Sequence, residues 1–461
     1  MTTSPAYQTI NPATGEVLTQ YPVIADTDVE TIAKNSHQAF ATWRALSLAE
    51  RAAKVTKLAD LFEDNVDELA AIMTKEMGKP LAEAKEETQF SAEIFRYYAT
   101  HGQHLAADTK VSENNDTISY IQRRPVGPLL GIMPWNYPYY QIARFAAPNL
   151  VLGNTIILKH AESCPESALA VQRMMDEAGI PTGVYQNVFA THNHISAFIA
   201  HPLIQGVSLT GSERAGAAIA EQAGKHLKKA VLELGGSDPY VILSTDDVKA
   251  AAQQAFAVRM ENTGQACNSN KRIIVMDDIY DEFVAEMTTL AAALKPGDPT
   301  TNDDTTYAPL SSEKAATTLL QQLEQAKQAG ATIHTGGQRE DLPGFYIQPT
   351  VITDIPQGSD IYYEEFFGPV ISIFRVESDE QALQLANDTQ YGLGSAVFAT
   401  DQTRAQAFAE QLNAGMVGAN TSPEESAEVP FGGIKRSGYG RELGPVGMDE
   451  FVNKRLMTIK K

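Results

Sequence analysis

From Gly127 onward, short apolar runs alternate with amphipathic segments, and this alternation is the feature that most constrains the fold. Two of the amphipathic segments, at 165–178 and 212–224, have helical spacing. A chain that alternates in this way typically forms a parallel sheet with helices on both faces. We therefore predict an α/β fold with strands at 129–133, 155–158, 186–189, 206–209 and 230–232.

The regions before and after this series carry different patterns. Residues 26–107 have the apolar spacing of helices, and a second strand–helix series follows Gly236, which predicts a second α/β domain. Two segments that alternate like strands, 117–123 and 451–459, stand apart from both series. Such isolated strands could pair across subunits by adding to a sheet edge.

Composition excludes several classes of protein. A chain of 461 residues is too long for one core, so we expect two or three domains. A formal net charge of −21 disfavours nucleic acid or an anionic membrane as a partner. No apolar stretch is long enough to span a bilayer and no signal peptide is recognisable. Two cysteines fit a reducing compartment, so we expect a cytoplasmic protein.

Cys267 is the strongest candidate for chemistry. It lies in the run Glu261-Asn262-Thr263-Gly264-Gln265-Ala266-Cys267, and Glu233 opens the segment Glu233-Leu234-Gly235-Gly236 upstream. A lone thiol served by a carboxylate indicates covalent chemistry at a carbonyl, in which the base activates the water that releases the product. The alternative is a buried cysteine that acts as a small apolar group.

Asn136 follows a predicted strand in the loop Pro134-Trp135-Asn136-Tyr137-Pro138. The prolines restrict the backbone, and the carboxyl ends of strands are where α/β proteins bind ligands. An amide donor held there could stabilise an oxyanion. The alternative is an asparagine that caps a helix or a turn.

Two further loops suggest a dinucleotide. Lys159 and Glu162 could bracket a ribose diol, and the carboxylate would repel a 2′-phosphate, which favours NAD while leaving NADP possible. A solvated charged pair is the alternative. The loop Thr210-Gly211-Ser212-Glu213-Arg214-Ala215-Gly216 could admit a pyrophosphate to a helix N-terminus, although it lacks the Gly-x-Gly-x-x-Gly pattern and resembles ordinary turns.

Glu365 and Phe367 lie in the run Glu364-Glu365-Phe366-Phe367-Gly368-Pro369, which could grip the nicotinamide ribose. A surface turn before a core strand is the alternative. Close histidine pairs occur without a cysteine or acidic cluster to complete a metal site, so we predict no metal.

These loops, in this order, resemble those of the aldehyde dehydrogenase superfamily over essentially the whole chain. The resemblance implies a Rossmann-like cofactor domain (1–112 and 127–234), a catalytic domain (235–418), oligomerisation strands (113–126 and 445–461) and a loop at the substrate mouth (419–444). It implies Cys267 as nucleophile, Glu233 as general base and Asn136 as oxyanion donor. It further implies a homodimer or homotetramer, and cofactor contacts by Trp135, Lys159, Glu162, Gly211, Ser212, Gly216, Leu234, Glu365 and Phe367.

Within the family, the chain looks most like bacterial succinate-semialdehyde dehydrogenases. Arg144 matches an arginine that in such enzymes receives the distal carboxylate, and Ser426 is expected at the substrate mouth. A surface ion pair is the alternative for Arg144. Two features depart from this branch: Glu261 stands where some members carry arginine, and the loop 422–428 carries three carboxylates. Such a rim should disfavour an anionic aldehyde and tolerate a neutral or cationic one.

The sequence leaves three possible functions to weigh. The first is hydrolytic oxidation of an aldehyde, with succinate semialdehyde or a neutral or amino aldehyde as substrate. A CoA-acylating relative has no need of a base at Glu233, so that residue argues against it. A non-catalytic protein on the same scaffold is the third, and the joint presence of Cys267, Glu233 and Asn136 argues against that one.

Overall fold

The computed structural model describes residues 7–461. It begins with an antiparallel hairpin of two strands and continues into four helices. The second helix begins with a capping box, in which Ser47 and Glu50 satisfy each other's backbone N–H groups. The elements are β1 (Tyr7–Ile10), β2 (Val17–Tyr21), α1 (Asp28–Trp43), α2 (Leu48–Asp64), α3 (Val66–Met77) and α4 (Leu81–Leu105).

An antiparallel pair, β3 (Thr109–Glu113) and β4 (Thr117–Pro125), follows the helices. The predicted strand–helix series comes next and is confirmed. Its elements are β5 (Pro128–Ile132), α5 (Pro138–Leu152), β6 (Thr155–Lys159), α6 (Pro165–Glu177), β7 (Tyr185–Asn187), α7 (His192–Ala200), β8 (Gly206–Thr210), α8 (Glu213–Lys225) and β9 (Lys229–Glu233).

These five strands are parallel and lie in the order β9-β8-β5-β6-β7. Strands β5, β6 and β8 are almost entirely buried, because helices cover both faces of the sheet. The chain runs outward from β5 in both directions, so the strand order reverses there. In open α/β sheets, ligands bind at the carboxyl ends of the strands beside such a reversal.

The second predicted series forms a separate seven-stranded sheet, in the order β14-β15-β16-β11-β10-β17-β18. Only β14 is antiparallel, and with β15 it forms an edge that the sequence patterns did not predict. The elements are β10 (Pro239–Ile242), α9 (Val248–Met260), β11 (Arg272–Met276), α10 (Asp277–Ala293), β12 (Lys295–Pro296), β13 (Thr306–Tyr307), α11 (Glu313–Ala329), β14 (Thr332–Thr335), β15 (Thr350–Thr353), β16 (Val370–Val376), α12 (Asp379–Asn387), β17 (Gly394–Phe398), α13 (Gln402–Ala409) and β18 (Met416–Ala419).

The C-terminal segment connects the sheets. It contains β19 (Gly438–Tyr439), α14 (Gly444–Met448) and β20 (Val452–Lys460). Strand β19 adds antiparallel to β9, opposite Glu233 and Leu232. Strand β20 pairs along its whole length with β4 of the same chain, so the two isolated strands are partners within one chain. The outer strands of this three-stranded sheet are β20 and β3.

No helix between residues 7 and 461 combines the length and the apolar character needed to cross a membrane.

Candidate active site

Four predicted site residues lie at the carboxyl ends of the five parallel strands β5 to β9. Asn136 follows β5, Lys159 ends β6, Gly211 follows β8 and Glu233 ends β9. Because the strands are parallel, their carboxyl ends lie side by side. The fold therefore brings together loops that are up to about a hundred residues apart in the chain.

A cleft of about 880 Å³ opens at these strand ends. Its walls contain both charged ribose candidates and the small residues of the loop after β8. Lys159 is buried and its ammonium lies 3.1 Å from Oε1 of Glu162, whose carboxylate is half exposed. The predicted residues that line the cleft are Trp135, Lys159, Glu162, Gly211 and Ser212.

Helix α8 points its N-terminus into the cleft. Ser212 is its N-cap and accepts a hydrogen bond from the backbone N–H of Ala215 at 3.4 Å. The remaining free N–H groups of the first turn, together with the helix dipole, suit an anionic group such as a pyrophosphate. Gly216 packs closely against Leu234. A Cβ at position 216 would lie 2.6 Å from the side chain of Leu234, so these two predicted cofactor residues are in contact with each other.

Cys267 lies in a loop that a strained turn introduces. Asn262 and Thr263 both have positive φ, 48° and 54°, in the left-handed region that residues with a Cβ rarely adopt. The thiol is partly buried and packs against the core that contains α5. Burial raises the pKa of the Cys267 thiol to about 12, while the positive charges of Arg144 and Lys271 oppose the rise.

Glu365 and Glu233 raise the same pKa by their negative charge. The ionisation of the thiol depends on the balance of these cations and carboxylates, and Glu233 contributes negative charge only when it has lost its proton.

Asn136 is fixed in orientation. Its Nδ2 donates to the backbone carbonyl of Gln265 at 3.0 Å, two residues before Cys267, and the side chain is 5% exposed. Asn262 donates in turn to the backbone carbonyl of Asn136 at 3.0 Å. A side-chain amide carries two N–H groups, so one hydrogen fixes the amide and the other is free to donate.

Glu233 is buried and neither carboxylate oxygen has a hydrogen-bond donor. Burial raises the pKa of Glu233 well above its usual range, and Arg144 only partly opposes this. Gly432 makes room for the carboxylate, because a Cβ at that position would lie 2.6 Å from Oε1. A carboxyl group in such a site holds a proton more readily than one in water.

Arg144 is completely buried on α5. Its guanidinium forms an ion pair with Glu442 and donates to Oε1 of Gln141 at 2.6 Å. The rings of Tyr140 and Phe431 lie on it, with centroids 4.7 and 4.3 Å from Cζ. Arg144 thus does form an ion pair, although an interior one and not the surface pair that the sequence offered as an alternative.

Glu365 and Phe367 connect the cleft with the nucleophile loop. The ring of Phe367 packs edge-on against Trp135, with the centroids 5.8 Å apart. Oε1 of Glu365 lies 2.9 Å from the ammonium of Lys271, which also donates to the carbonyls of Ala266 and Cys267 at 2.7 Å each. Lys271 was not predicted from the sequence.

Carboxylates surround the outer side of the nucleophile loop. Glu261 accepts a hydrogen bond from the Tyr137 hydroxyl at 2.7 Å, and Glu425 accepts one from Asn268, beside Cys267. Glu83 on α4 accepts from the backbone N–H of Asn262 at 2.7 Å. Ser426, predicted at the substrate mouth, accepts from the backbone N–H of Glu428 at 3.4 Å and supports its own turn.

The cleft fits a dinucleotide by the chemistry of its donors and acceptors. A lysine and a carboxylate suit a ribose diol, and the N-terminus of α8 suits a pyrophosphate. Among residues 7–461, no group of three or more histidine, cysteine, aspartate or glutamate side chains is arranged to hold a metal ion.

Comparison with known proteins agrees with this geometry. The profile of the aldehyde dehydrogenase family matches residues 1–457. The chain is 47% identical over 451 residues to the succinate-semialdehyde dehydrogenase (NADP(+)) of Deinococcus radiodurans, covering 98% of this chain and 94% of the relative.

The chain belongs to the aldehyde dehydrogenase family. It is also 42% identical over 453 residues to succinate-semialdehyde dehydrogenase (NADP(+)) 1 of Mycobacterium tuberculosis, covering 98% of this chain and 99% of the relative. A crystal structure of succinic semialdehyde dehydrogenase from Streptococcus pyogenes in complex with NADP+ superposes with a TM-score of 0.95 at 41% identity, covering 99% of this chain and all of the other.

These findings confirm the predicted family, its fold and the resemblance to the bacterial succinate-semialdehyde dehydrogenase branch. The chain is therefore an aldehyde dehydrogenase, an oxidoreductase that acts on aldehydes. Several residues that contact this site were not predicted, among them Glu83, Lys271 and Glu442. Lys271 precedes a strand as many surface lysines do, and Glu442 lies in a glycine-rich loop, so nothing local in the sequence marked either one as buried.

Proposed function

We propose that this aldehyde dehydrogenase oxidises its substrate through a covalent adduct on Cys267, with Asn136 and Glu233 serving the two halves of the reaction. The observation that carries the proposal is geometric. The Asn136 amide is bonded to Gln265 in the Cys267 loop, and the turn that follows Glu233 packs on the same loop, because a Cβ at Gly236 would lie 2.5 Å from the carbonyl oxygen of Cys267. A nucleophile, an oxyanion donor and a base without another partner are what covalent catalysis at a carbonyl requires.

In the first half, the Cys267 thiolate attacks the aldehyde carbon and gives a thiohemiacetal. The negative charge that develops on the carbonyl oxygen is stabilised by the free N–H of the Asn136 amide and by the backbone N–H of Cys267. Because Asn136 is already bonded to Gln265, its donor needs no reorganisation when the charge appears. When bound in the cleft, a nicotinamide dinucleotide would supply the acceptor for the hydride that leaves the adduct carbon. The hydroxyl proton of the adduct goes to solvent, and the product on Cys267 is a thioester.

In the second half, water hydrolyses the thioester on Cys267. Glu233 takes a proton from that water, because its carboxylate has no other hydrogen-bond partner and its raised pKa makes it a stronger base than an ordinary carboxylate. The thiol leaves as the acid forms, which regenerates Cys267.

For the cofactor we propose nicotinamide dinucleotide bound by Lys159, Glu162, Ser212, Glu365 and Phe367. The two curated relatives described above are named as NADP(+) enzymes, and one related crystal structure contains NADP+. Glu162 in this chain is half exposed and its charge opposes a 2′-phosphate. We therefore propose that NAD is used and that NADP is accepted less well.

As the substrate we propose succinate semialdehyde. The names of the relatives support it, and so does Arg144, a buried cation on α5, the helix that begins directly after the Asn136 loop. A guanidinium can bind a carboxylate through two parallel hydrogen bonds. This assignment requires Arg144 to exchange part of its contact with Glu442 for the substrate.

A neutral or cationic aldehyde is the second candidate, and a specific observation favours it. Arg144 is already neutralised by Glu442, while Glu83, Glu261 and Glu425 all bind groups next to the nucleophile loop. Burial raises the pKa of Glu83 and of Glu425 to about 7, so this rim becomes more negative as the pH rises. Negative charge attracts an amino aldehyde and repels a carboxylate.

The experiment compares kcat/KM for succinate semialdehyde, hexanal and 4-aminobutanal, each with NAD and with NADP. Succinate semialdehyde should have the highest value. A kcat/KM for 4-aminobutanal or hexanal well above that for succinate semialdehyde would replace it with the second candidate. Loss of all activity in Cys267→Ser, with Cys164→Ser active, tests the covalent chemistry, and turnover by Cys267→Ser would reject it.

We also propose the domain division predicted from the sequence and a homodimer or homotetramer formed through β20 and β3. In support, Met457 and Ile459 lie two residues apart on the same face of β20 and are 39% and 45% exposed, an apolar surface that another subunit could cover. Sedimentation velocity of the purified chain measures the subunit number.

Both cysteines are free, which agrees with the proposed cytoplasmic location.

A further inference from the structure

The buried ammonium of Lys271 donates to three oxygen atoms of the protein. Its side chain is 1% exposed, and its ammonium lies 2.7 Å from the carbonyl of Ala266, 2.7 Å from that of Cys267 and 2.9 Å from Oε1 of Glu365. An ammonium has three N–H groups, so each one has an acceptor. A buried lysine is costly unless it is paired and hydrogen-bonded in this way.

The acceptors belong to two different parts of the site. Ala266 and Cys267 form the nucleophile loop, and Glu365 precedes β16. Glu365 also accepts the backbone N–H of Gly236 at 3.2 Å. Close packing surrounds these groups: a Cβ at Gly235 would touch the Glu365 carboxylate, and one at Gly236 would lie 2.5 Å from the carbonyl oxygen of Cys267. The loop and the carboxylate are thus held against the same turn.

We propose that Lys271 is a positioning residue that connects Glu365 to the Cys267 loop. When a dinucleotide binds Glu365, the positive charge of Lys271 is less compensated by that carboxylate and stabilises the Cys267 thiolate more strongly. This inference rests on the proposed function in one respect, namely that Glu365 binds the nicotinamide ribose. The contacts of Lys271 with the loop do not depend on it.

The electrostatic consequence has a definite sign. Four charged groups act on the thiol: Arg144 from α5, Lys271 from the loop itself, Glu365 from before β16 and Glu233 from the end of β9. The two cations lower the pKa of Cys267 and the two carboxylates raise it. When Glu365 instead accepts hydrogen bonds from ribose hydroxyls, it compensates Lys271 less, and the thiolate becomes more favourable.

The test measures the rate at which iodoacetamide alkylates Cys267 at a series of pH values. Peptide mass spectrometry identifies and quantifies the alkylated cysteine. Below the thiol pKa the rate follows the thiolate fraction, so a change of one unit in pKa changes the rate about tenfold. Without any dinucleotide, Lys271→Met should react about tenfold more slowly than the parent, and Glu365→Gln about tenfold faster. Opposite signs in two variants of one ion pair cannot arise from a general loss of structure.

The second arm adds saturating NAD or NADP. The parent enzyme should be alkylated faster when the dinucleotide is bound, and Lys271→Met should not respond. Equal acceleration in both proteins, or a change in the same direction in Lys271→Met and Glu365→Gln, would overturn the inference and leave the proposed function intact. Failure of the parent to bind either dinucleotide by calorimetry would overturn the proposed function, and the first arm would still decide the role of Lys271.

Discussion

The guanidinium of Arg144 and the carboxylate of Glu442 form a buried ion pair between α5 and the loop that follows β19. Arg144 has a raised pKa because the attraction of Glu442 and other negative groups outweighs the desolvation that lowers it. The residue that is expected to attract an anionic substrate is therefore already compensated by a carboxylate of the same chain. An anionic substrate can therefore bind Arg144 only if the Arg144–Glu442 ion pair is weakened or opened.

The pair can be tested by removing it as a unit. In Arg144→Met/Glu442→Gln, both charges disappear, so no unpaired charge remains buried. If Arg144 receives the substrate carboxylate, kcat/KM for succinate semialdehyde should fall by about tenfold or more, the equivalent of about 1.4 kcal/mol, while that for hexanal changes little. Steady-state kinetics with both aldehydes measure this. An equal fall for both would mean that Arg144 supports the structure of the site only.

Glu442→Gln alone should destabilise the protein, because it leaves the Arg144 charge buried without its partner. We expect a loss of about 3–5 kcal/mol in the free energy of unfolding, measured by urea denaturation. The double variant should recover much of this loss. A single variant as stable as the parent would contradict the view that the two charges depend on each other.

The sequence predicted the parallel strands well, and the reason is physical. Strands such as β6, predicted at 155–158 and found at Thr155–Lys159, are buried on both faces and are therefore continuously apolar. The antiparallel additions at the edges, β14 and β19, were missed, and so was β15, the neighbour of β14. Strand β19 has two residues and contains glycine, and its pairing with β9 is set by the tertiary fold.

The site was predicted in part for similar reasons. Asn136, Lys159 and Glu233 follow or end apolar strands, and parallel strands bring such positions together. The environment of Arg144 could not be predicted, because every residue of α5 is buried and the helix has no polar face to indicate an orientation. Gly216 was read as a phosphate contact, whereas the structure explains it by packing against Leu234.

Asn136→Ala should slow the formation of the adduct. Removing one preorganised oxyanion donor typically lowers kcat about 10²–10³-fold. The expected result is a fall of this size, seen as slower NAD(P)H formation in single-turnover stopped-flow experiments. Since Asn136 also bonds to Gln265, a melting temperature close to that of the parent is the necessary control. A kcat within a few-fold of the parent would remove Asn136 from the oxyanion role.

Glu233→Gln should separate the two halves of the reaction. Acylation of Cys267 does not need the base, so a burst of reduced cofactor should form first, and slow hydrolysis of the thioester should then limit turnover. Stopped-flow absorbance at the reduced-cofactor band measures both phases. Steady turnover equal to that of the parent would show that another group activates the water.

The pH dependence of deacylation follows from the burial of Glu233. Its folded pKa is raised, so the carboxylate is protonated at low pH and becomes a base only as the pH rises through that pKa. Deacylation should therefore accelerate with rising pH in the parent, and this rise should be absent in Glu233→Gln. A pH-independent parent would imply that the carboxylate is ionised over the whole range.

Glu162→Ser should shift cofactor preference toward NADP. Two unit charges about 4 Å apart in water interact by about 1 kcal/mol, so removing the carboxylate should raise the NADP/NAD ratio of kcat/KM about fivefold. Glu282→Ser on α10, an exposed carboxylate with the same change of charge, serves as the matched control and should leave the ratio unchanged. The ratio is measured at low ionic strength, where screening is weakest. If Glu162→Ser gives the parent ratio, the 2′ position of the ribose does not face Glu162.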